Sequence, residues 1–564
     1  MTIHEFWAYS PATTGGSDLP VAPTLAPIFG SRGITTASEL DAWCNPTLDG
    51  LHDPVGIGGM EAAAERILRA VRDREPILIY GDYDVDGVTS IVLMRTVLRA
   101  LGADVDFVVP HRVFDGYGLK SEVIDRVLRD RAVKLVVTVD CGITSVEPVA
   151  EALEKGIDVI ITDHHLPPGM LPSAAAVLNP KQAGCDYPYK DLAGVGVAFK
   201  LCCELLRRSR HSMSIGSLVK IAAIGTIADV APLTGENRAL VRLGLAGLAD
   251  PRNPGLRALI RSLGLLGRPL RASDIGFRIG PRINAAGRLA SANTAIDLFD
   301  AKSESAAEPL VAELNRLNRE RQAIENAVLA EAEAMIAEMG ELPPILVVWG
   351  EGWHRGVVGL CAGRLAQRYN RPALAIARDG EECVGSARSV SSIDLHAALE
   401  EVSDLFTRFG GHAHACGFSL HSDSLQPLRR RLIERFASTD RSLFVRSARV
   451  DAEVTLQEMD RTFAADHERL EPFGQENPQP LLMARGVDVE SVREFSPGCH
   501  RLTLRQTTRR MPAVAWPSVA SLGGTLTVGN RIDLLFRLEP DRYDEFRLEV
   551  VDAAPTGSAP VAHS

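Results

Sequence analysis

From about residue 60 onward the chain alternates short, continuous apolar runs with longer amphipathic stretches, the pattern of successive β-α-β units. The runs Pro76 to Tyr80, Asp104 to Val109, Lys134 to Val139, Asp158 to Thr162 and Ala175 to Leu178 are rich in Val and Ile and lack polar alternation. Continuous runs belong to strands covered on both faces, so they predict a parallel sheet with helices on each side. Between Gly194 and about Leu265 the apolar positions take helical spacing, as in Val197, Leu201 and Leu205, then Leu243, Leu245 and Leu248. A helical cap on the sheet is expected there. Lys302 to Gly340 is rich in Ala and Glu, which predicts one long helix between two lobes.

A second α/β unit begins at Pro344 and runs to about Ser438. Beyond it the period drops to two, as in Arg501 to Thr507 and Phe546 to Asp552, with turn residues between. This predicts a small antiparallel β barrel or sandwich. The chain therefore divides into a polar, Pro- and Gly-rich leader (1–50), an α/β domain with its cap (51–300), a connecting helix (301–340), a smaller α/β domain (341–440), a β domain (447–553) and a flexible tail (555–564). At 564 residues such division is required, since single cores stop growing near roughly 250 to 300 residues.

Composition changes this picture little. With 46% apolar and 24% charged residues the chain is an ordinary globular protein. Its formal charge of -11 argues against a basic coat, so any contact with nucleic acid must use local patches. The nine cysteines are irregularly spaced with no C-x-x-C pair, as expected of reduced thiols in the cytoplasm. No signal peptide is indicated at the first residues and no apolar run has membrane-spanning length.

The candidate chemistry sits at the ends of the predicted strands. The first runs into Gly81-Asp82-Tyr83-Asp84-Val85-Asp86-Gly87, three carboxylates within five residues at the carboxyl end of a buried strand, where open α/β sheets bind ligands. Like charges so crowded call for a cation. A calcium loop would need Glu at its twelfth position and a preceding helix; Leu93 stands there and a strand precedes. Two more strands end in Asp140-Cys141-Gly142 and Asp163-His164-His165. A lone strand-end Asp is usually a helix cap, but several in one sheet point to a shared site. Asp229 lies in the apolar helical segment Ile224 to Pro232, where a carboxylate is costly without a cation or partner.

The ordered set Asp-x-Asp-Gly, Asp140, Asp163-His164-His165 and Asp229 resembles the DHH phosphoesterase superfamily. Arg282-Ile283-Asn284-Ala285-Ala286-Gly287-Arg288, Gly410 to Gly417 and Glu471 to Pro478 resemble segments of its bacterial single-strand-specific exonucleases, over roughly residues 50 to 553. The resemblance implies two Mn2+ or Mg2+ ions on Asp84, Asp86, Asp140, His164 and Asp229, with Asp140 bridging and Asp82 a ligand or neighbour of one. It makes Asp140, His164, His165 and Asp229 the catalytic set, with His165 on the scissile phosphate and Asp163 orienting His164 through the other ring nitrogen.

It further implies hydrolysis of single-stranded DNA from the 5' end to 5'-mononucleotides, in repair and recombination, by a monomer working with a single-strand-binding protein and a helicase. Candidate nucleic-acid contacts are Arg112, Arg278, Arg282 and Arg288, then His354, Arg355, Ser386, Arg388 and Ser389, then Gly410, Gly411, His412 and His414. The β domain resembles an OB-fold, with Arg501, Arg505, Arg509, Arg510 and Trp516 as candidate strand contacts. Two alternatives are a DHH phosphodiesterase for short oligonucleotides or cyclic dinucleotides and a silent DNA-binding scaffold. The β domain disfavours the first, and the filled carboxylate positions disfavour the second.

Overall fold

A computed structural model describes residues 6–9, 18–112, 114–129, 131–390, 393–520, 524–541, 546–559 and 561–563. The five continuous apolar runs form one parallel sheet, in the spatial order Val105–Val108, Ile77–Gly81, Leu135–Val139, Asp158–Thr162 and Ala176–Leu178. The three central strands are buried along nearly their whole length, which is why none alternates. Strand order reverses between Ile77–Gly81 and Leu135–Val139. Their carboxyl ends therefore flank the crevice where connections leave toward opposite sides.

The predicted cap is a set of helices, among them Gly194–Ser209, Gly216–Ala228, Gly235–Leu248, Pro254–Ser262 and Gly280–Leu289. They share one apolar core with the sheet, through residues such as Ile79, Val137, Phe199, Leu201 and Ile224. The connecting helix spans Glu304–Glu338, capped by the Ser303 hydroxyl, which accepts from the Ala306 N–H. The second lobe carries a mixed five-stranded sheet ordered Arg408–His412, Ala415–His421, Glu382–Arg388, Ala373–Asp379 and Leu346–Glu351.

The C-terminal strands close into a barrel, because Leu482–Ser496 pairs with both Cys499–Gln506 and Arg531–Pro540. It is not wholly antiparallel as expected: Phe546–Pro555 returns alongside Arg509–Ala515 in parallel. The intervening strand Arg531–Pro540 has already reversed the chain once.

The leader, polar and rich in Pro and Gly, nonetheless carries apolar residues into the fold. Leu25, Phe29, Ile34 and Leu40 are buried in the same core as Leu456, Phe463, Phe536 and Leu548 of the barrel domain, each large apolar side chain contributing about 2 kcal/mol of burial. Phe6–Tyr9 pairs in parallel with Ser447–Val450 and with Val561–His563, the last lying within the segment expected to be flexible. Leader, cap and barrel domain are joined by two arginines of Gly235–Leu248. Arg238 stacks 3.4 Å from the Trp43 ring centroid and donates to the carbonyls of Trp43 and Glu471, each at 2.6 Å. Arg242 donates to the carbonyls of Cys44 at 2.8 Å and Glu471 at 3.0 Å.

Among the described residues every cysteine is free, and no helix is long and apolar enough to cross a membrane.

Candidate metal centre and nucleic-acid groove

The chain leaves Ile77–Gly81 and turns at once into the helix Val85–Ala100. Asp84 caps that helix: its Oδ1 accepts from the N–H groups of Asp86 at 2.9 Å and Gly87 at 3.1 Å. Gly87 is required because a Cβ there would stand 2.3 Å from the Asp82 carbonyl oxygen. Asp86, in the first turn, receives the N–H groups of Gly194 and Val195 at 2.7 Å each. It thus caps the start of Gly194–Ser209 from another element, where the helix dipole favours an anion. Asp140 follows Leu135–Val139 in the left-handed region, with φ of 60°, a conformation that Asp tolerates better than most residues. Asp229 ends Gly216–Ala228.

Two of these elements approach so closely that only glycine fits. A Cβ on Gly194 would lie 2.6 Å from Asp140 Oδ1, and one on Gly225 would lie 2.3 Å from Thr89 Oγ1 and 3.0 Å from Asp86 Oδ1. The sequence carries both glycines, but nothing in their local pattern marks them as part of a site.

The carboxylates and imidazoles fall into three overlapping groups, each with ligand atoms within 4.8 Å of one another: Asp82, Asp84 and Asp140; Asp86, His164 and Asp229; and Asp140, His164 and His165. Asp140 and His164 join the first two groups, their Oδ1 and Nε2 atoms being 3.1 Å apart. His164 Nε2 is also 4.0 Å from Asp86, and its Nδ1 is 3.8 Å from Asp229.

The donor set fits divalent cations. Asp82 Oδ1, Asp140 Oδ1 and His164 Nε2 are buried without hydrogen-bond partners, a costly arrangement unless something else binds them. Burial, then the charges of neighbouring carboxylates, drives Asp82 and Asp140 well above the usual carboxylate range, Asp86 up to about 7 and Asp229 up to about 9. Burial, then the charge of His165, pulls His164 down to about 3. It is therefore a neutral imidazole at physiological pH, the form that ligates metal. A mixture of carboxylate and imidazole suits Mn2+, while Mg2+ favours oxygen.

Contrary to the expectation from the sequence, Asp163 does not meet the His164 ring. Its Oδ1 accepts from Nδ1 of His165 at 2.7 Å and from the N–H groups of His164 and His165, while Oδ2 accepts from Ile143 N–H at 2.9 Å. Burial works to raise its pKa, but the hydrogen bond and charge of His165 hold it below the ordinary value. Asp163 thus fixes both histidine backbones and the ring of the second.

Beside the cluster lies a cavity of about 760 Å³ between the two α/β lobes, lined by Tyr83, Arg112, Arg288, Arg355, Ser386 and Arg388 among others. Arg112 stacks 4.4 Å from the Tyr83 ring centroid, Arg288 donates to the Gly356 carbonyl at 2.9 Å, and Arg388 to Ser386 Oγ at 2.8 Å. Burial, then the charge of Arg112, lowers Arg288 to about 9 and lowers Arg388 as well. Arg355 is paired with Asp379 and Glu382, each at 3.5 Å, whereas the crowding of Arg112, Arg288 and Arg388 makes an anion site.

The other candidates divide. Arg278 pairs with Asp274 at 3.3 Å and with the Leu263 carbonyl, and Arg282 with Asn315 at 2.7 Å and the Arg278 carbonyl; neither lines this cavity. His354 accepts from Gly356 N–H at 3.0 Å, and Ser389 donates to the Ile393 carbonyl at 2.7 Å, so both shape backbone. Gly410, Gly411 and His412 form a hairpin with Ala415–Gly417, and the His414 carbonyl accepts from Ser389 N–H at 3.0 Å. In the barrel Arg505 and Arg510 are paired with Glu490 at 2.7 and 2.6 Å, and Arg509 donates to the Met459 carbonyl. Arg501 lies over the Phe495 ring beside Trp516. Sequence reasoning passes over Tyr83, although it stands inside the first acidic motif.

A parallel sheet whose switch point gathers five carboxylates and two histidines, beside an arginine-lined groove closed by a second lobe, defines a metal-dependent phosphoesterase of the DHH type. Family models agree: residues 76–226 match the DHH family N-terminal domain, 342–438 the DHHA1 domain and 450–548 the RecJ OB domain. The chain belongs to the RecJ family.

It is 38% identical to the single-stranded-DNA-specific exonuclease RecJ of Salmonella typhimurium, covering 83% of this chain and 84% of the relative. It is 36% identical to that of Bacillus subtilis, covering 95% and 68%. The crystal structure of RecJ from Thermus thermophilus in complex with Mn2+ superposes with a TM-score of 0.83 at 31% identity, over 98% of this chain and 80% of that one. A Mg2+ complex from the same source matches at 0.77.

Proposed function

We propose that this chain is an exonuclease that degrades single-stranded DNA from the 5' end and releases 5'-mononucleotides. The observation that carries the reading is the pair of donor groups joined by Asp140 and His164, set beside a cavity lined with arginines. The names of the relatives, single-stranded-DNA-specific exonucleases, support the substrate.

Asp82, Asp84, Asp86, Asp140, His164 and Asp229 would hold two divalent ions. When bound, such ions supply Lewis-acid activation of water and neutralise charge on the phosphoryl oxygens. The protein's own groups do the rest. Arg112, Arg288 and Arg388 bind phosphate oxygens and set the strand end in the groove, with Ser386 orienting Arg388. His165, held by Asp163, faces the scissile phosphate. The barrel extends the binding surface along the strand, which a short oligonucleotide or cyclic dinucleotide would not need. The setting is cytoplasmic DNA repair and recombination, with a monomer receiving single strands from a helicase and a single-strand-binding protein.

The test incubates purified protein with Mn2+ and a 5'-labelled single strand beside a matching blunt duplex, with Asp140→Ala as control. Labelled mononucleotide should appear early, from the single strand only, and not with the variant. Binding without cleavage by the wild type would refute the assignment.

A further inference from the structure

Tyr117 belongs to none of the groups above, yet its hydroxyl lies 3.0 Å from Nδ1 of His165 and 3.3 Å from the carbonyl oxygen of Asp140. Its ring meets the His165 ring edge on, with centroids 5.4 Å apart and planes at 65°. The same Nδ1 is 2.7 Å from Asp163 Oδ1. An ionised carboxylate only accepts, so this nitrogen carries the proton. The phenol oxygen therefore takes a second share of that N–H, and the phenol's own proton points to the Asp140 carbonyl. His165 is gripped at Nδ1 from two sides, leaving Nε2 as its free nitrogen.

The loop that presents Tyr117 is itself fixed. Gly116 and Gly118 on either side have φ of 78° and 88°, conformations that other residues seldom adopt. Before the turn, the His111 N–H donates to Asp115 Oδ2 at 2.6 Å and Gly116 N–H to the His111 carbonyl at 3.2 Å. After it, the buried Tyr80 hydroxyl donates to the Gly118 carbonyl at 3.0 Å. A side chain that served only as a solvent-facing wall would not need such anchoring.

We propose that Tyr117 is a positioning residue, whose hydroxyl holds the His165 ring with Nε2 toward the reacting phosphate and ties it to the strand end bearing Asp140. The inference rests on the exonuclease reading above. Tyr117→Phe removes the hydroxyl and keeps the ring; Tyr117→Ala removes both. On single-stranded DNA with Mn2+, Phe should lower kcat about tenfold, which is ~1.4 kcal/mol of barrier, and Ala should lower it further. KM and the Mn2+ dissociation constant from calorimetry should stay within about twofold. A crystal structure of metal-free Tyr117→Phe should show the His165 ring in more than one orientation.

An unchanged kcat in the Phe variant would overturn the proposal. So would a rise in KM alone, which would make the hydroxyl a DNA contact, or weakened Mn2+ binding, which would place its action on Asp140. A wild type inactive on single strands would overturn the functional reading and this one together. An active wild type with an unaffected Phe variant would overturn only this one.

Discussion

Replacing Asp229 by Asn should stabilise the protein without metal and destabilise it, relative to wild type, with metal. Burial, then Asp86 and Asp84, raises the Asp229 carboxyl from an ordinary 3.8 to about 9. A carboxyl raised in the folded state leaves stability intact below its unfolded value and erodes it as pH climbs toward the folded one. Between pH 3.8 and about 7.5 each pH unit costs ~1.4 kcal/mol, a ceiling of ~5 kcal/mol. Neighbouring carboxyls share the protons, so about 1–3 kcal/mol is expected. Asn never ionises and escapes this loss. In chelator at about pH 7.5, Asp229→Asn should melt about 2–12 °C above wild type, at roughly 2–4 °C per kcal/mol for a domain of this size.

Adding Mn2+ at about a thousandfold excess over its dissociation constant should raise wild-type stability by about 4.1 kcal/mol. The variant, lacking a donor in the Asp86, His164 and Asp229 group, should gain much less, so the order of melting temperatures reverses. Thermal or urea unfolding with and without Mn2+ measures both arms. A variant that is less stable in chelator, or that gains as much from Mn2+ as wild type, would refute the reasoning.

Three further outcomes can be checked independently. Gly194→Ala should keep the fold, since Ala suits a helix. Its Cβ, 2.6 Å from Asp140 Oδ1, should displace that carboxylate and weaken Mn2+ binding at least about tenfold (~1.4 kcal/mol), read by calorimetry. Arg388→Ala should raise KM for single-stranded DNA about 10- to 100-fold, since a charge-assisted hydrogen bond of ~1.5–3 kcal/mol disappears. The salt dependence of binding should flatten by about 0.7 for each phosphate the protein no longer neutralises.

His467 is buried beside Phe473 with its Nε2 unpartnered, and burial, then the charges of Arg271 and Arg32, pulls it down to about 3. A histidine so lowered keeps stability above its unfolded value and loses it as pH falls toward the folded one. Relative to His467→Leu, wild type should therefore lose about 2 kcal/mol between pH 7.5 and 5 in urea melts. Parallel pH profiles would contradict this.

Much of the architecture was legible because its causes are local. A run such as Leu135–Val139, buried on both faces, announces a central parallel strand through its own composition. The long helix Glu304–Glu338 shows itself by the absence of breakers over most of its length. The acidic and histidine motifs were legible for the same reason: each sits at the end of such a strand, so finding the strand places the motif at the sheet's edge.

What the sequence could not supply were relations set by packing between segments far apart in the chain. Which histidine Asp163 grips depends on ring orientations fixed by Tyr117 and the Asp140 strand end. The leader reads as polar and rich in Pro and Gly, but its few apolar residues find the barrel core. Arg278 and Arg282 have the same residue type and neighbourhood in sequence as Arg288, yet only Arg288 lines the groove, because position along a helical stretch decides which way a side chain faces. Gly194 and Gly225 are ordinary helix residues until a carboxylate arrives from another strand. Hydrophobic period is written into neighbouring residues, whereas the partner of a buried polar group is chosen by the one three-dimensional arrangement that satisfies all of them at once.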